Sequence, residues 1–232
     1  MENIEIKGYI PSSLLDYPSK ICSVIFLPYC NFRCPFCQNP DLITKPEKIP
    51  NIEHKKIFEH LKSRRKWLDG VCITGGEPCL HRSLPDLLSK IKELGFLVKL
   101  DTNGTNPKIL KELIEKKLVD YIAMDIKAPL KKYDKVARVK VNKNAIQESI
   151  DLIINSSVDH EMRSTVLPKL HTKEDIIEMA KTIKKARKYV LQQFRSIKTL
   201  DPKFKNCKSF SREQIESIER ECNKYIPTEI KG

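Results

Sequence analysis

The chain has 232 residues, 40% hydrophobic and 31% charged, with 43 Lys and Arg against 30 Asp and Glu and a formal charge of +13. That balance excludes a disordered chain, and no run approaches the roughly 18–20 apolar residues needed to span a bilayer. The opening MENIEIKGYI lacks the regions of a signal peptide, so a cytoplasmic protein is expected, with its 8 cysteines reduced rather than paired in a disulfide framework. The basic charge is dispersed: KSRRK (62–66) and KTIKKARKYV (181–190) read as solvated faces, not as a nucleic-acid surface. Such a surface also suits an acidic protein partner such as an electron carrier.

In chain order, ICSVIFL (21–27) is a continuous apolar run, as in a strand buried on both faces. Ile57, Phe58, Leu61 and Leu68 fit a helix within 52–68, and GVCITGG (70–76) is a short strand ending in glycines. SLPDLLSKIKELG (83–95) puts Leu84, Leu87, Leu88, Ile91 and Leu94 on one helical face, with Gly95 placed to end it. FLVKLDTNG (96–104) is a strand, NPKILKELIEKKL (106–118) a helix opening at Pro107, and VDYIAMDIKAP (119–129) a strand. Ile146, Ile150, Ile153 and Ile154 mark a helix over 143–155, followed by the strand EMRSTVLP (161–168). Thr172 caps a helix to about 186, YVLQQF (189–194) is a strand, and Ser211 with Gln214 forms a capping box for the last helix.

Strand and helix alternate six times, which predicts an α/β fold with a parallel sheet and covering helices. One core domain over 1–200 is expected, with a short C-terminal helical extension, 201–232, packed on it. Chemistry in such folds gathers at the C-terminal ends of the strands. Those ends read PYCNFRCPFC, TGGEP, DTNG, MDIK, RSTVLP and QQFR, so cysteines, glycines, carboxylates and basic groups fall on one rim.

CNFRCPFC (30–37) holds Cys30, Cys34 and Cys37 in one loop after the first of these strands. Structural zinc wants four ligands, usually as separated pairs, and neither a second CxxC nor an HxxxH is present; catalytic zinc sites tend to include histidine or carboxylate. Iron–sulfur clusters are held by thiolates, usually four, and three would leave one iron of a four-iron cluster open to a substrate. The spacing favours a cluster and leaves zinc open. Cys22, Cys72 and Cys222 read as small core residues, Cys79 lies beside the rim, and Cys207 sits in a lysine-rich loop. Cys207 and Cys222 alone would underfill a second metal site.

CNFRCPFC resembles the CxxxCxΦC signature of radical S-adenosylmethionine (radical SAM) enzymes, with Phe36 as the aromatic Φ, and TGGEP (74–78) resembles their GGE motif. GYIPSSLLDYPSKICSVIFL, CQNP, DTNG, MDIK, TVLP and LQQF extend the resemblance over about residues 8–202 to glycyl-radical enzyme activating proteins, above all the longer form of the anaerobic ribonucleotide reductase activating protein. The resemblance implies a partial (β/α)6 barrel and an oxidoreductase with a [4Fe–4S] cluster on Cys30, Cys34 and Cys37. The open iron would be chelated by S-adenosylmethionine. Reduced flavodoxin or ferredoxin would supply the electron that cleaves the sulfonium to methionine and a 5′-deoxyadenosyl radical. That radical would take a Cα hydrogen from a glycine of a partner glycyl-radical enzyme. Neither a membrane nor a nucleic acid is expected as a partner.

By the same resemblance Phe36 and Gln38 flank the adenine, Gly75 and Gly76 admit the methionine moiety, and Glu77 accepts from its ammonium. Asp125 and Lys127 share one face of a strand and match a DxK pair at the methionine and ribose. Asp101 and Thr102 match a pair that helps hold a monovalent cation beside the cofactor carboxylate in a related activase. Arg163 matches an arginine near the substrate, and Arg195 falls near a ribose-contacting position on the last strand. Simpler readings stand beside these: Asp101 could cap the turn before Asn103–Gly104, and Arg163 could pair with Asp101 or Asp125 across the rim. The sequence departs from the pattern with Tyr29 for glycine, Gln38 for histidine, YPSK for YPGK and GGEPC for GGEPT, none of which removes a cluster ligand. No CxxCxxC insertion lies between Gln38 and Gly70, so a single cluster is expected. Two other functions share parts of this evidence: a radical SAM enzyme acting on a small molecule such as a deazapurine precursor, and a zinc-dependent nucleic-acid module, against which the GGEP, DTNG and MDIK rim speaks.

Overall fold

The computed structural model describes residues 4–231, so the first three residues of the N-terminal stretch and Gly232 lie outside the described residues. A single sheet of eight strands runs in chain order. Its strands are β1 (Gly8–Ser13), β2 (Cys22–Leu27), β3 (Gly70–Gly75), β4 (Leu97–Thr102), β5 (Tyr121–Asp125), β6 (Asp159–Val166), β7 (Tyr189–Gln193) and β8 (Thr228–Lys231). β1 is antiparallel to β2, and every later pair is parallel. The six strands β2–β7 are those expected from their apolar runs, and they form the parallel α/β core.

The helices are α1 (Pro40–Thr44), α2 (His54–Ser63), α3 (Leu84–Glu93), α4 (Pro107–Glu115), α5 (Tyr133–Ala137), α6 (Lys143–Asn155), α7 (Lys173–Thr182) and α8 (Arg212–Cys222). Their ends follow local chemistry. Pro107 opens α4 behind Asn106, whose side chain accepts from the Ile109 N–H, and reciprocal capping boxes start α7 (Thr172 with Asp175) and α8 (Ser211 with Gln214). α3 buries Leu84, Leu87, Leu88 and Ile91, so its apolar stripe is the one its spacing predicts. α2 is shorter than the 52–68 expected, ending at Ser63 before a turn through Trp67.

Two strands carry no strong sequence signal. β1 (GYIPSS) contains a proline, tolerated because an edge strand leaves one row of N–H groups unpaired, and its register shifts between Ile10 and Ser13. β8 adds a parallel strand beside β7, so the C-terminal segment is a helix and a strand rather than helical alone.

The core has two parts. The main cluster joins the strands to the helices, and a smaller one, comprising Tyr17, Cys22, Val24, Cys72, Tyr121 and Ala123, lines the other face of the sheet. Cys22, Cys72 and Cys222 are fully buried, as small core residues are.

Candidate active site

β2 and β3 deliver the cysteine loop and the glycine turn side by side. The Gly76 N–H donates to the Leu27 carbonyl at 2.8 Å and the Glu77 N–H to the Tyr29 carbonyl at 2.7 Å. A Cβ on Gly76 would stand 1.8 Å from the Tyr29 oxygen, and one on Gly75, whose φ is +115°, 2.5 Å from the Leu27 oxygen. These glycines are therefore required where the two backbones touch, before any ligand is considered. Tyr29 itself has a φ of +64°, the conformation for which glycine is better suited. It is held there by its N–H on the Leu42 carbonyl at 2.8 Å and by ring contact with His81 at 6.3 Å.

The thiol loop is braced from several sides. The Arg33 guanidinium donates to the Cys30 and Phe32 carbonyls at 2.7 and 2.8 Å, and the Arg33 N–H reaches the Ala137 carbonyl at the end of α5 at 2.8 Å. N–H groups point at two sulfurs: Phe32 at Cys30 Sγ and Asn39 at Cys37 Sγ, both at 3.4 Å. Asn103 Nδ2 adds a donor 3.8 Å from Cys30 Sγ. Burial pushes the Cys34 thiol up to about 12 and the Cys30 thiol to about 11, so a strongly positive centre is needed to keep them as thiolates. Among the described residues no three His, Cys, Asp or Glu side chains gather to hold one metal ion. Three thiols on one loop, two of them with amide donors at the sulfur, fit an iron–sulfur cluster better than a single zinc.

Cys30, Cys34 and Cys37 line a cavity of about 380 Å³ together with Phe36, Gln38, Gly75, Gly76, Glu77, Asp101, Thr102, Asp125, Lys127 and Arg163. Arg195 is the expected residue that does not join them: its side chain is exposed, and its carbonyl accepts from Gln38 Nε2 at 3.1 Å. The chain has already left β7 at this point, so the strand no longer aims the side chain inward. Cys79 is fully buried outside the lining, and Cys207 and Cys222 make separate contacts with the Lys203 and Ile176 carbonyls. A larger, shallower groove of about 670 Å³ between α4 and α6 has neither cysteine nor histidine in its walls.

On one wall, charges alternate across three strands. Lys99 Nζ lies against Asp101 Oδ1, and Arg163 bridges Asp101 Oδ2 at 3.3 Å and Asp125 Oδ1 at 3.0 Å. Lys127 Nζ then meets Asp125 Oδ2 at 3.0 Å and stands 6.0 Å from the Phe36 ring centre. Arg163 thus pairs with both candidate carboxylates. Burial would raise Asp101 and Asp125, but Arg163 and the adjacent lysines outweigh it and hold both below the usual carboxylate range. Burial would likewise lower Lys99 and Lys127, yet their carboxylate partners keep both raised.

Glu77 is 1% exposed, and burial pushes its carboxyl up. It accepts from the Asn103 N–H at 2.6 Å, the Thr102 hydroxyl at 2.7 Å and the Cys79 N–H at 3.0 Å. The Cys79 thiol also bonds this carboxylate, so protein donors surround it, and Glu77 first of all ties β3 to the loop after β4. Sequence reasoning assigned no role to several other lining residues. Asn39 donates to the Gly75 carbonyl at 3.2 Å, Thr74 donates to Asp101 at 3.0 Å, and Asn103, Thr165 and Gln192 also face the cavity. All five stand inside the quoted motifs. Lys99 stands behind Asp101 outside the lining; the sequence reading passed over it, although residues two apart on a strand share a face.

A mostly parallel sheet with a three-thiol loop, a glycine turn and a charged wall at one rim has the donor set of a metal-cluster site beside a cavity of small-molecule size. The radical SAM superfamily model matches residues 24–183, and the chain belongs to that superfamily. Membership makes it a radical SAM enzyme and implies a [4Fe–4S] cluster and S-adenosylmethionine; it ends the zinc-module reading. The chain is 35% identical over 226 residues, 95% of its length and 92% of the relative's, to a Methanocaldococcus jannaschii protein provisionally named as a glycyl-radical enzyme activating enzyme. It is 28% identical over 180 residues to the pyruvate formate-lyase-activating enzyme of Clostridium pasteurianum, covering 75% of this chain and 74% of that one. The fold matches Streptococcus suis SuiB bound to S-adenosylmethionine with a TM-score of 0.68 at 15% identity, over 90% of this chain and 52% of that chain.

Proposed function

We propose that the protein activates a glycyl-radical enzyme, which the sequence resemblance points to as anaerobic ribonucleotide reductase. The observation that carries this reading is the 35% identity running through 95% of the chain to a relative named as such an activase. Cys30, Cys34 and Cys37 hold the cluster, and the amide donors near Cys30 and Cys37 tune it. When bound, the cluster and S-adenosylmethionine supply a 5′-deoxyadenosyl radical upon one-electron reduction.

The remaining work falls to side chains and backbone. Gly75 and Gly76 bring main-chain groups to the methionine end, where the Glu77 carboxylate accepts from the ammonium. Phe36 and Gln38 flank the adenine, and Lys127 with Asp125 holds the methionine and ribose region. Arg163 fixes both aspartates, and the buried Phe36 and Cys34 keep water from the reacting end. A glycine suits such a radical because its Cα radical can be planar between two amides with no side chain in the way.

The electron is delivered by reduced flavodoxin or ferredoxin at a basic surface around the thiol loop. Residues 131–143 hold six Lys and Arg against one Asp, and residues 198–208 hold four against one. These segments meet through the Arg138–Asp201 ion pair at 2.7 Å, and both touch the loop, at the Ala137 and Pro35 carbonyls. Acidic electron carriers complement such a surface.

The deciding experiment mixes anaerobically reconstituted, reduced protein with S-adenosylmethionine and the anaerobic ribonucleotide reductase of the same cell, and records X-band EPR. A glycyl-radical doublet with stoichiometric 5′-deoxyadenosine is expected. Turnover of a deazapurine precursor with no doublet on the protein would instead establish the small-molecule reading.

A further inference from the structure

Asp101 and Thr102 do not present a vacant seat for a monovalent cation. Lys99 Nζ lies against Asp101 Oδ1, while Oδ2 takes Thr74 Oγ1 at 3.0 Å and Arg163 Nη1 at 3.3 Å. The Thr102 hydroxyl donates to Glu77 Oε1 at 2.7 Å and accepts from the Gly104 N–H at 3.1 Å. A metal cation at Asp101 would have to sit between two fixed positive groups.

Lys99 is unusual in itself. Its side chain is 2% exposed in the middle of β4, and beyond Asp101 its ammonium meets Cys72 Sγ at 3.8 Å. A buried ion pair seldom adds stability over apolar residues of the same size, so its presence calls for a role besides packing. The ion-paired network holds three cations (Lys99, Arg163, Lys127) and two carboxylates (Asp101, Asp125), and Glu77 and Asp16 add further carboxylates to the cavity lining, so each cation counts.

We propose that Lys99 is a built-in substitute for a monovalent cation: its ammonium, positioned by β4, fixes Asp101 and neutralises its charge, so that the cofactor's carboxylate is received beside it without a bound metal cation. Lys99 acts through Asp101 and is a positioning residue. The inference rests on S-adenosylmethionine occupying this cavity and is independent of which partner is activated.

The test is calorimetric titration of S-adenosylmethionine into the reconstituted holoprotein, at equal ionic strength in potassium, sodium or tetramethylammonium chloride. The wild-type affinity is expected to agree within about twofold across the three salts. Lys99→Met is expected to bind roughly tenfold more weakly in tetramethylammonium, a loss of about 1.4 kcal/mol, and to recover in potassium or sodium. A wild-type affinity that falls roughly fivefold or more in tetramethylammonium overturns the proposal, as does a Lys99→Met variant indifferent to the salt. If Lys99→Met does not fold, the wild-type series still decides, and Lys99→Arg is expected to remain independent of the salt. Titrations silent in every salt would reject the cofactor site itself, whereas failure to make a glycyl radical would leave these titrations unchanged.

Discussion

Arg163 is the residue on which the charged wall turns, because it spans Asp101 on β4 and Asp125 on β5. Replacing it with methionine leaves two buried carboxylates with one lysine each, and breaking such a network costs on the order of 3 kcal/mol. The Arg163→Met variant should show that loss in urea unfolding. The same wall sets a pH dependence. Asp101 and Asp125 are held below their unfolded values, so their contribution is complete above about pH 4 and is lost as pH falls through the folded values. Wild-type stability should therefore drop on acidification below about pH 4, and Arg163→Met should lose stability over a smaller span there, as read from midpoints across an acid series. At Gly76 the constraint is steric. Gly76→Ala places a methyl 1.8 Å from the Tyr29 oxygen, so the cysteine loop must move, and the variant should take up less iron and sulfide than wild type on reconstitution.

Among the elements, β7 and β8 are coupled by more than backbone pairing. Lys188 and Lys231 both approach Glu161, at 3.3 and 3.9 Å, and the Glu161 side chain is almost fully buried. Ending the chain at Pro227 removes β8, exposes the β7 edge and leaves Glu161 with Lys188 as its cation. A lower melting temperature and concentration-dependent association in light scattering are expected. β8 illustrates what the sequence hid. TEIK is short and half-exposed, and GYIPSS carries a proline, so neither edge strand shows the apolar run or strict alternation that marked β2–β7. The site was legible where chemistry is written in spacing: the three cysteines, the glycine turn and the Asp125–Lys127 alternation all meet at one cavity. It was not legible where a role depends on tertiary contact. Glu77 lies in a recognisable motif, yet its donors include the backbone of Asn103 and Cys79 and the hydroxyl of Thr102, and no local pattern announces them. Arg195 shows the converse, an alignment position whose strand had already ended.

For the molecule as a whole, the positive charge acquires a place as well as a magnitude. In both lysine-rich segments beside the thiol loop basic side chains face solvent, among them Lys131, Lys135, Lys140, Lys203 and Lys205. Reversing two of them, with Lys135→Glu and Lys203→Glu, should slow cluster reduction by flavodoxin and flatten its dependence on ionic strength, while reduction by dithionite stays as in wild type. Stopped-flow absorbance of the reconstituted protein reads both rates. Among the described residues no helix is long and apolar enough to cross a membrane.

The hydrogen bond from the Asp201 N–H to the Pro35 carbonyl, at 3.0 Å, joins positions far apart in the chain. During synthesis the N-terminal part emerges first, so the thiol loop leaves the ribosome long before the segment that fastens over it. The loop is therefore made early, and this backbone anchor is fastened only after nearly the whole chain has been synthesised.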